Sequence, residues 1–357
     1  MSIIAAKPIR TLRLDFIADD RKKLVRENLS AVAASGDQLW FGTDEDTLLD
    51  CLSEAGGDRY AGHKTFELKN SLQLPNTTGK KDEIDIEGLY VAGERLWLVG
   101  SHAITRDRPN PGEDGAKKAL RDLSDVKKGP NRWTLASWAL PQPAGAERAL
   151  GAAAQLVAGM DASPLLMLLA EDPHLRAFLT LPAKENGFDI EGLAVTGQRL
   201  FLGLRGPVLR GWAVLLELQV EIVQAELKLM PNGPDGRCYR KHFLDLEGCG
   251  VRDLCFADAN DRDLLVLAGP TMSLDGTVRL HRWPLPAAAA EDTITAKEGC
   301  PANLEIPHQR GKDRAEGIAI RHGQNGAELL VVYDSPAEAR APKGQTFVDA
   351  DLFALPA

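Results

Sequence analysis

The residues best suited to chemistry are acidic, and they recur. Asp85-Ile86-Glu87-Gly88-Leu89 returns as Asp189-Ile190-Glu191-Gly192-Leu193, and Arg314-Ala315-Glu316-Gly317-Ile318 is a looser copy. Glu87, Glu191 and Glu316, with Asp85 and Asp189, offer hard oxygen ligands of the kind Ca²⁺ or Mg²⁺ takes. Arg205, Arg252 and Arg314 carry the planar fork that holds a phosphate or carboxylate through two hydrogen bonds. His102 adds a nitrogen able to ligate a metal or act as general base. A divalent metal beside arginines suits hydrolysis of a small anionic ester, phosphoester or lactone, because the metal polarises the reacting oxygen and activates water. On this reading Glu87, Glu191, Glu316, Asp85 and Asp189 are metal ligands, and His102, Arg205 and Arg252 are catalytic.

The same residues have a structural reading. Gly88, Gly192 and Gly317 relieve crowding wherever innermost strands meet, and the carboxylates pair with Arg205, Arg252 and Arg314 in a structural ring. Repeat identity is also what duplication leaves behind. Against this, apolar positions differ between copies (Tyr90 against Ala194, Trp97 against Phe201) while Asp-Ile-Glu-Gly does not. Buried like charges cost energy unless they are paired or bind a cation. A non-catalytic scaffold binding a protein or small ligand on the same face is therefore the alternative to a hydrolase, and both stay open. There is no Gly-x-Ser-x-Gly elbow, His-Glu-x-x-His, Walker loop or Gly-x-Gly-x-x-Gly after a strand. Trp40 and Trp97 read as packing.

What must position these residues is a repeat. Each copy is a few apolar residues, a short polar turn and a second apolar run: GLYVAGERLWLVGSH after Glu87, GLAVTGQRLFLGLRGP after Glu191, GIAIRHGQNGAELLVVYDSP after Glu316. Aligning Trp40 with Trp97 puts Ser30 where Glu87 sits, which adds a first copy; Arg252-Asp253-Leu254-Cys255-Phe256 opens another. The copies start near 30, 87, 191, 252 and 316, with spacings of 57, 104, 61 and 64. The long interval holds helical periodicity from Ser163 to about Phe178, and removing about 45 residues restores a unit of about 59. A hidden sixth unit in 141–176 would need strands where Ala and Leu fall at helical spacing.

Later strands close on Phe66-Glu67-Leu68, Trp138-Ala139-Leu140, Leu216-Glu217-Leu218, Trp283-Pro284-Leu285 and Phe353-Ala354-Leu355. A fourth apolar strand is expected before each new copy, at 71–74, 178–181, 242–246 and 302–306, with 10–16 lending the last unit its fourth. The prediction is an all-β single domain over 1–357: a five-bladed propeller of four-stranded antiparallel blades, closed by the N-terminal strand. Connectors lie at 43–62, 101–131 (with a helix near 116–127) and 141–177, the last a helical insertion. A two-layer sandwich makes no use of the periodicity. In the ring, strand starts and second-strand ends share one face, so the acidic residues crowd one mouth of the channel, partly roofed by 101–131.

A formal charge of −9 and a pI near 5.4 argue against nucleic acid or an anionic membrane as partner. A small anionic molecule or a protein is expected instead. No long apolar run predicts a membrane span. The N-terminus lacks the core of a secretory signal. Five cysteines without a C-x-x-C pair suit reduced thiols, so the expected compartment is the cytoplasm.

The segments DIEGLYVAGERLWLVGSH, KENGFDIEGLAVTGQRLFLGLRGPVLRGWAVLLEL, RDLCFADANDRDLLVLAGPT and LLVVYDSP resemble a bacterial family known as a domain of unknown function, over roughly 25–340. That resemblance implies a propeller-like repeat protein and no particular activity. Glu87-Gly88, Glu191-Gly192 and Glu316-Gly317 also resemble the Glu-Gly pair that ligates a metal in gluconolactonase and senescence-marker propellers, although the Pro that follows there is missing here. Phytase-related propellers offer a similar loose analogy.

Overall fold

The first three repeats each begin as two apolar runs joined by a two-residue loop led by glycine. Gly36, Gly93 and Gly197 take φ of +56°, +58° and +57°, while the loop residues after them do not have positive φ. Only glycine adopts that conformation without strain, and a Gly-led two-residue loop matches the twist of a tight hairpin. The computed structural model describes residues 6–17, 24–77, 83–140, 150–258, 260–272, 275–286, 291–323 and 326–355. It is mostly β and propeller-like. The five first strands are Leu29–Ser35, Ile86–Ala92, Asp189–Thr196, Gly250–Phe256 and Arg314–Gly323. They pair antiparallel with Gln38–Thr43, Arg95–Gly100, Arg199–Gly206, Asp263–Gly269 and Gly326–Asp334 respectively. Third strands follow at Leu48–Glu54, Leu135–Ala139, Trp212–Val223, Val278–Pro284 and Phe347–Ala354.

The first strands also touch one another in order. Leu29–Ser35 lies against both Ile86–Ala92 and Arg314–Gly323; Asp189–Thr196 lies against Ile86–Ala92 and Gly250–Phe256; and Gly250–Phe256 meets Arg314–Gly323. The series therefore returns on itself in a barrel-like closure. Between successive units the described residues form five apolar clusters, one per junction, in which Trp40 and Trp97 are buried packing groups. Leu12 and Leu14 enter the junction between the last unit and the first. Arg10–Asp15 pairs antiparallel with Phe347–Ala354, from Arg10 opposite Leu352 to Asp15 opposite Phe347, as the N-terminal closure requires. It also pairs in parallel with Arg59–Glu67, so the closing strand covers two outer edges that would otherwise be open.

Several expected boundaries move. The stretch 43–62 is not a plain connector: it contains the third strand Leu48–Glu54, and Phe66 belongs to the fourth, Arg59–Glu67. Residues 71–74 form no strand, and 176–178 is a 3-10 turn. The second unit takes its outer strand from Ala153–Gln155, inside the expected insertion. The period-2 signal fails for local reasons: Arg59–Glu67 is largely exposed and polar, Leu48–Glu54 buries four consecutive residues without alternation, and Ala153–Gln155 is three residues long. The fourth strands at 242–246 and 302–306 are found, as Arg240–Asp245 and Ala302–Ile306. The insertion keeps its helix, Pro164–Leu169, capped by Ser163 and burying Leu165 and Leu169 at the junction of the second and third units; residues 141–149 lie outside the described residues. Buried Asp172 anchors it, accepting from Lys241 Nζ at 2.6 Å and Tyr239 Oη at 2.8 Å. The helix in 101–131 spans Pro111–Ser124, starting earlier than expected. Among the described residues no helix is long and apolar enough to cross a membrane, and all five cysteines are free thiols.

First strands approach closely only where side chains are absent or small. A Cβ on Gly88 would stand 2.7 Å from Leu193 Cβ and 3.1 Å from its backbone nitrogen; one on Gly317 would stand 3.1 Å from Val32 nitrogen. Gly88→Ala should therefore destabilise the fold by about 1–3 kcal/mol through overpacking. Gly159→Ala, whose Cβ would have no neighbour nearer than 3.9 Å, should melt like the parent. Equal melting temperatures for both variants would refute this account of the closure.

Candidate functional site

Every first strand is interrupted at the same register position. Pairing with the second strand skips Ser30, Glu87, Glu191, Arg252 and Glu316, each immediately before the residue that packs on the neighbouring unit. A bulge of this kind re-aims a side chain. Here it turns one polar residue per unit out of the sheet at one end of the closed series of strands. The sequence alignment of Ser30 with Glu87 is thus the structural one. In the fourth unit the following position is Asp253 rather than glycine or alanine. Its carboxylate is fully buried, accepting from Ile318 N at 2.7 Å and Leu254 N at 2.8 Å, and so ties its unit to the next.

The re-aimed groups meet through arginines. Arg205 forms ion pairs of 2.5 Å with both Asp189 and Glu191, and Glu191 passes its other oxygen to Arg252 Nη1 at 2.8 Å. Arg252 reaches on to Glu316 through its second amino group. A continuous chain therefore runs Asp189, Arg205, Glu191, Arg252, Glu316 across three units. On the other side Arg132 holds Asp85 at 2.8 Å and Glu83 at 2.7 Å, and Ser30 Oγ donates to Ile86 O at 2.5 Å. Arg132 was not among the sequence candidates; it sits just past a connector, and only the surplus of unmatched carboxylates hinted at such a partner. Arg314 pairs with Asp334 at 3.1 Å and stands outside the chain.

Glu87 is the exception. Among the described residues it has no hydrogen bond or ion pair, although it lies close enough to feel the others. Water reaches part of it, but the surrounding strands enclose it. Burial pushes its carboxyl well above the usual range, and Glu191, Asp85, Asp189 and Glu316 push the same way. Burial likewise raises Asp189 to about 7 against the pull of Arg205, and Glu316 to about 8 against that of Arg252. The physical cause is an excess of carboxylates over guanidinium groups in low dielectric, which a retained proton relieves. Arginines stay charged throughout, each raised further by its acidic partners.

Three sequence expectations change here. His102 does not join the cluster. It is buried with φ of +55°, its Nδ1 is bonded to Gly100 O at 3.0 Å, its Nε2 is sealed without a partner, and burial lowers it to about 4. A histidine that is neutral and closed off has no route to a substrate proton. The five carboxylates also do not present a metal cage. Asp85, Asp189, Glu191 and Glu316 spend oxygens on arginine, and among the described residues no three His, Cys, Asp or Glu side chains are placed to hold an ion. The donors do not fit Ca²⁺ or Mg²⁺, which want several oxygens converging on one point. Arg205 and Arg252, both saturated at their amino groups, are not free anion clamps.

Fold and site together define a mostly β, propeller-like protein with a polar cluster at one end of its central channel. The chain belongs to the family described as a protein of unknown function (DUF3616), whose model matches residues 28–351. No curated protein matches it. Among solved structures it is similar to glutaminyl cyclase of Myxococcus xanthus, at 12% identity and a TM-score of 0.38 over 98% of this chain and 100% of that one. It is also similar to a PQQ-bound aldose sugar dehydrogenase from Streptomyces coelicolor, at 14% identity and a TM-score of 0.36 over 97% and 100%. A third is xylan beta-1,4-xylosidase from Bacillus halodurans C-125, at 10% identity and a TM-score of 0.41 over 91% of this chain and 53% of that one. Superpositions this loose transfer no chemistry.

Because Glu87 ionises less readily folded than unfolded, its ionisation opposes folding. The penalty is absent below the ordinary carboxylate range and grows as pH rises through the raised folded-state value. Glu87→Gln, the neutral isostere, should melt with the parent near pH 4 and higher than the parent by roughly 2 °C or more at pH 8. A lower melting temperature for the variant at pH 8 would mean that Glu87 is ionised and paired.

Proposed function

We propose that the five units are the blades of a five-bladed propeller, and that the mouth where their bulged residues meet is the hydrolytic site of an enzyme acting on a small ester or lactone. One feature carries this reading: among the described residues Glu87 has no partner, and burial beside Glu191, Asp85, Asp189 and Glu316 pushes its carboxyl well above the usual range, which favours the proton-bearing form. Carboxyl groups whose environments separate their proton affinities divide acid and base roles between them. Glu87 would donate its proton to the leaving oxygen. Glu316, whose side chain is the more open of the two raised partners of the arginine chain and whose carboxyl burial pushes up to about 8, would take one from the attacking water. The ester C–O bond breaks as the water C–O bond forms, giving an acid and an alcohol. No metal takes part in this scheme.

The substrate's charge follows from the mouth. Among the described residues, Glu83, Asp85, Glu87, Asp189, Glu191, Glu316 and Asp334 are set against Arg132, Arg205, Arg252 and Arg314. The negative surplus favours a neutral or cationic substrate over the anionic one expected from the arginines. A second reading rests on the same ion pairs. An arginine–carboxylate ring that occupies four of the five repeated acids is what a binding scaffold needs to hold its blades together, and then the mouth recognises a ligand without altering it.

A pH-stat panel of small neutral esters and lactones separates the two. The hydrolase reading expects turnover that survives EDTA and falls by about 100-fold or more in Glu87→Gln, without a fall in melting temperature. A parent inert across the panel would leave the scaffold. Turnover abolished by EDTA would restore the metal.

A further inference from the structure

The opposite end of the channel is chemically different. There the last residues of the first strands, Val91, Ala34, Val195, Phe256 and Ile320, wall a bowl of about 540 Å³, a size that accommodates a small organic molecule. Tyr90 closes it from below. Its ring meets Phe256 edge-on at 6.2 Å and packs against the junctions of the second with the third, the third with the fourth and the fourth with the fifth unit. One side chain from the second unit thus reaches across to the fourth.

The side chains walling the bowl are mostly apolar, and the carboxylates at its rim have one sign. Asp258 and Asp261 line it, with His322 as the other titratable group apart from Tyr90 and Cys255; no lysine or arginine lines it among the described residues. Thr196 Oγ1 donates to Asp261 at 2.7 Å and Asn260 N to Asp258 at 2.7 Å, which fixes the direction of both carboxylates while using one oxygen of each. Concave apolar walls with a few oriented polar groups are the usual form of a small-molecule site.

We infer that this bowl binds a small amphiphilic cation, an apolar body carrying an ammonium group, with the body against Val91, Val195, Phe256 and Ile320 and the ammonium on Asp258 and Asp261. The apolar surface supplies non-directional affinity, and the paired carboxylates supply the choice of head group. This site does not depend on the hydrolytic reading: it lies at the other mouth and uses none of the same residues.

Calorimetric titration of the full chain with octylammonium, octanol and octanoate tests it, because the three share one tail. Octylammonium should bind at least about tenfold more tightly than octanoate. The double variant Asp258→Asn, Asp261→Asn should lose that preference while still binding octanol. Ala34→Trp, which fills the bowl from its rim, should abolish binding of all three; Ala92→Trp serves the same end if the first variant melts early. Octanoate binding as well as octylammonium, no binding of any tail at millimolar concentration, or octylammonium binding unaffected by either tryptophan would each overturn the proposal.

Discussion

The molecule depends on how closely its five first strands can approach one another. Ala31, Gly88, Gly192 and Gly317 leave room for a neighbouring backbone, and Asp253 uses the same space to bond the next unit's N–H. Close approach forces the residue before each of these positions out of the regular ladder. It also sets which side chains crowd together: Ser30, Glu87, Glu191, Arg252 and Glu316 are far apart in the chain and neighbours in space because one steric requirement repeats five times. Packing and polarity are therefore two results of one constraint.

Electrostatics then settles what that crowding can tolerate. Arginine in the bulge of the fourth unit, where three other units carry glutamate, converts a set of repelling acids into a chain of alternating charge. Arg205 from a second strand and Arg132 from beyond a connector extend it. Ion pairs taken out of water contribute little net stability compared with apolar packing, but breaking one leaves a buried charge and is costly. The arrangement thus specifies register around the axis more than it stabilises the fold. It also leaves one carboxyl, Glu87, without a counter-charge, and a proton is the inexpensive remedy in such a place.

The channel has two unlike ends because each first strand changes character along its length. Near its start it carries Ser, Glu or Arg and toward its end Val, Ala, Ile or Phe, so placing the copies side by side stacks like with like. Tyr90, the largest residue at its position in any unit, reaches across from the second unit to the fourth. Ala33, Ala194, Cys255 and Ala319 occupy that position elsewhere, and a second aromatic there would compete for the same space.

The repeated words of the chain determined the mostly β, propeller-like fold, the order of inner strands, the N-terminal closure and the identity of the residues that gather at one end. Those features rest on short-range pattern: period-2 apolar runs, Gly-led loops and a conspicuous acidic motif. Strands such as Leu48–Glu54 and Ala153–Gln155 were not legible: the first buries Leu49 to Leu52 in a row, a buried Asp50 among them, and so shows no alternation, and the second is only three residues long. Partnership was not legible either. That Glu191 would bridge Arg205 and Arg252, that Arg132 would take Asp85, that His102 would be sealed away and Glu87 left alone are matters of a few ångströms between distant segments. Only the tertiary structure decides them, since a sequence states which charges exist but not which of them share a dielectric or reach a common partner.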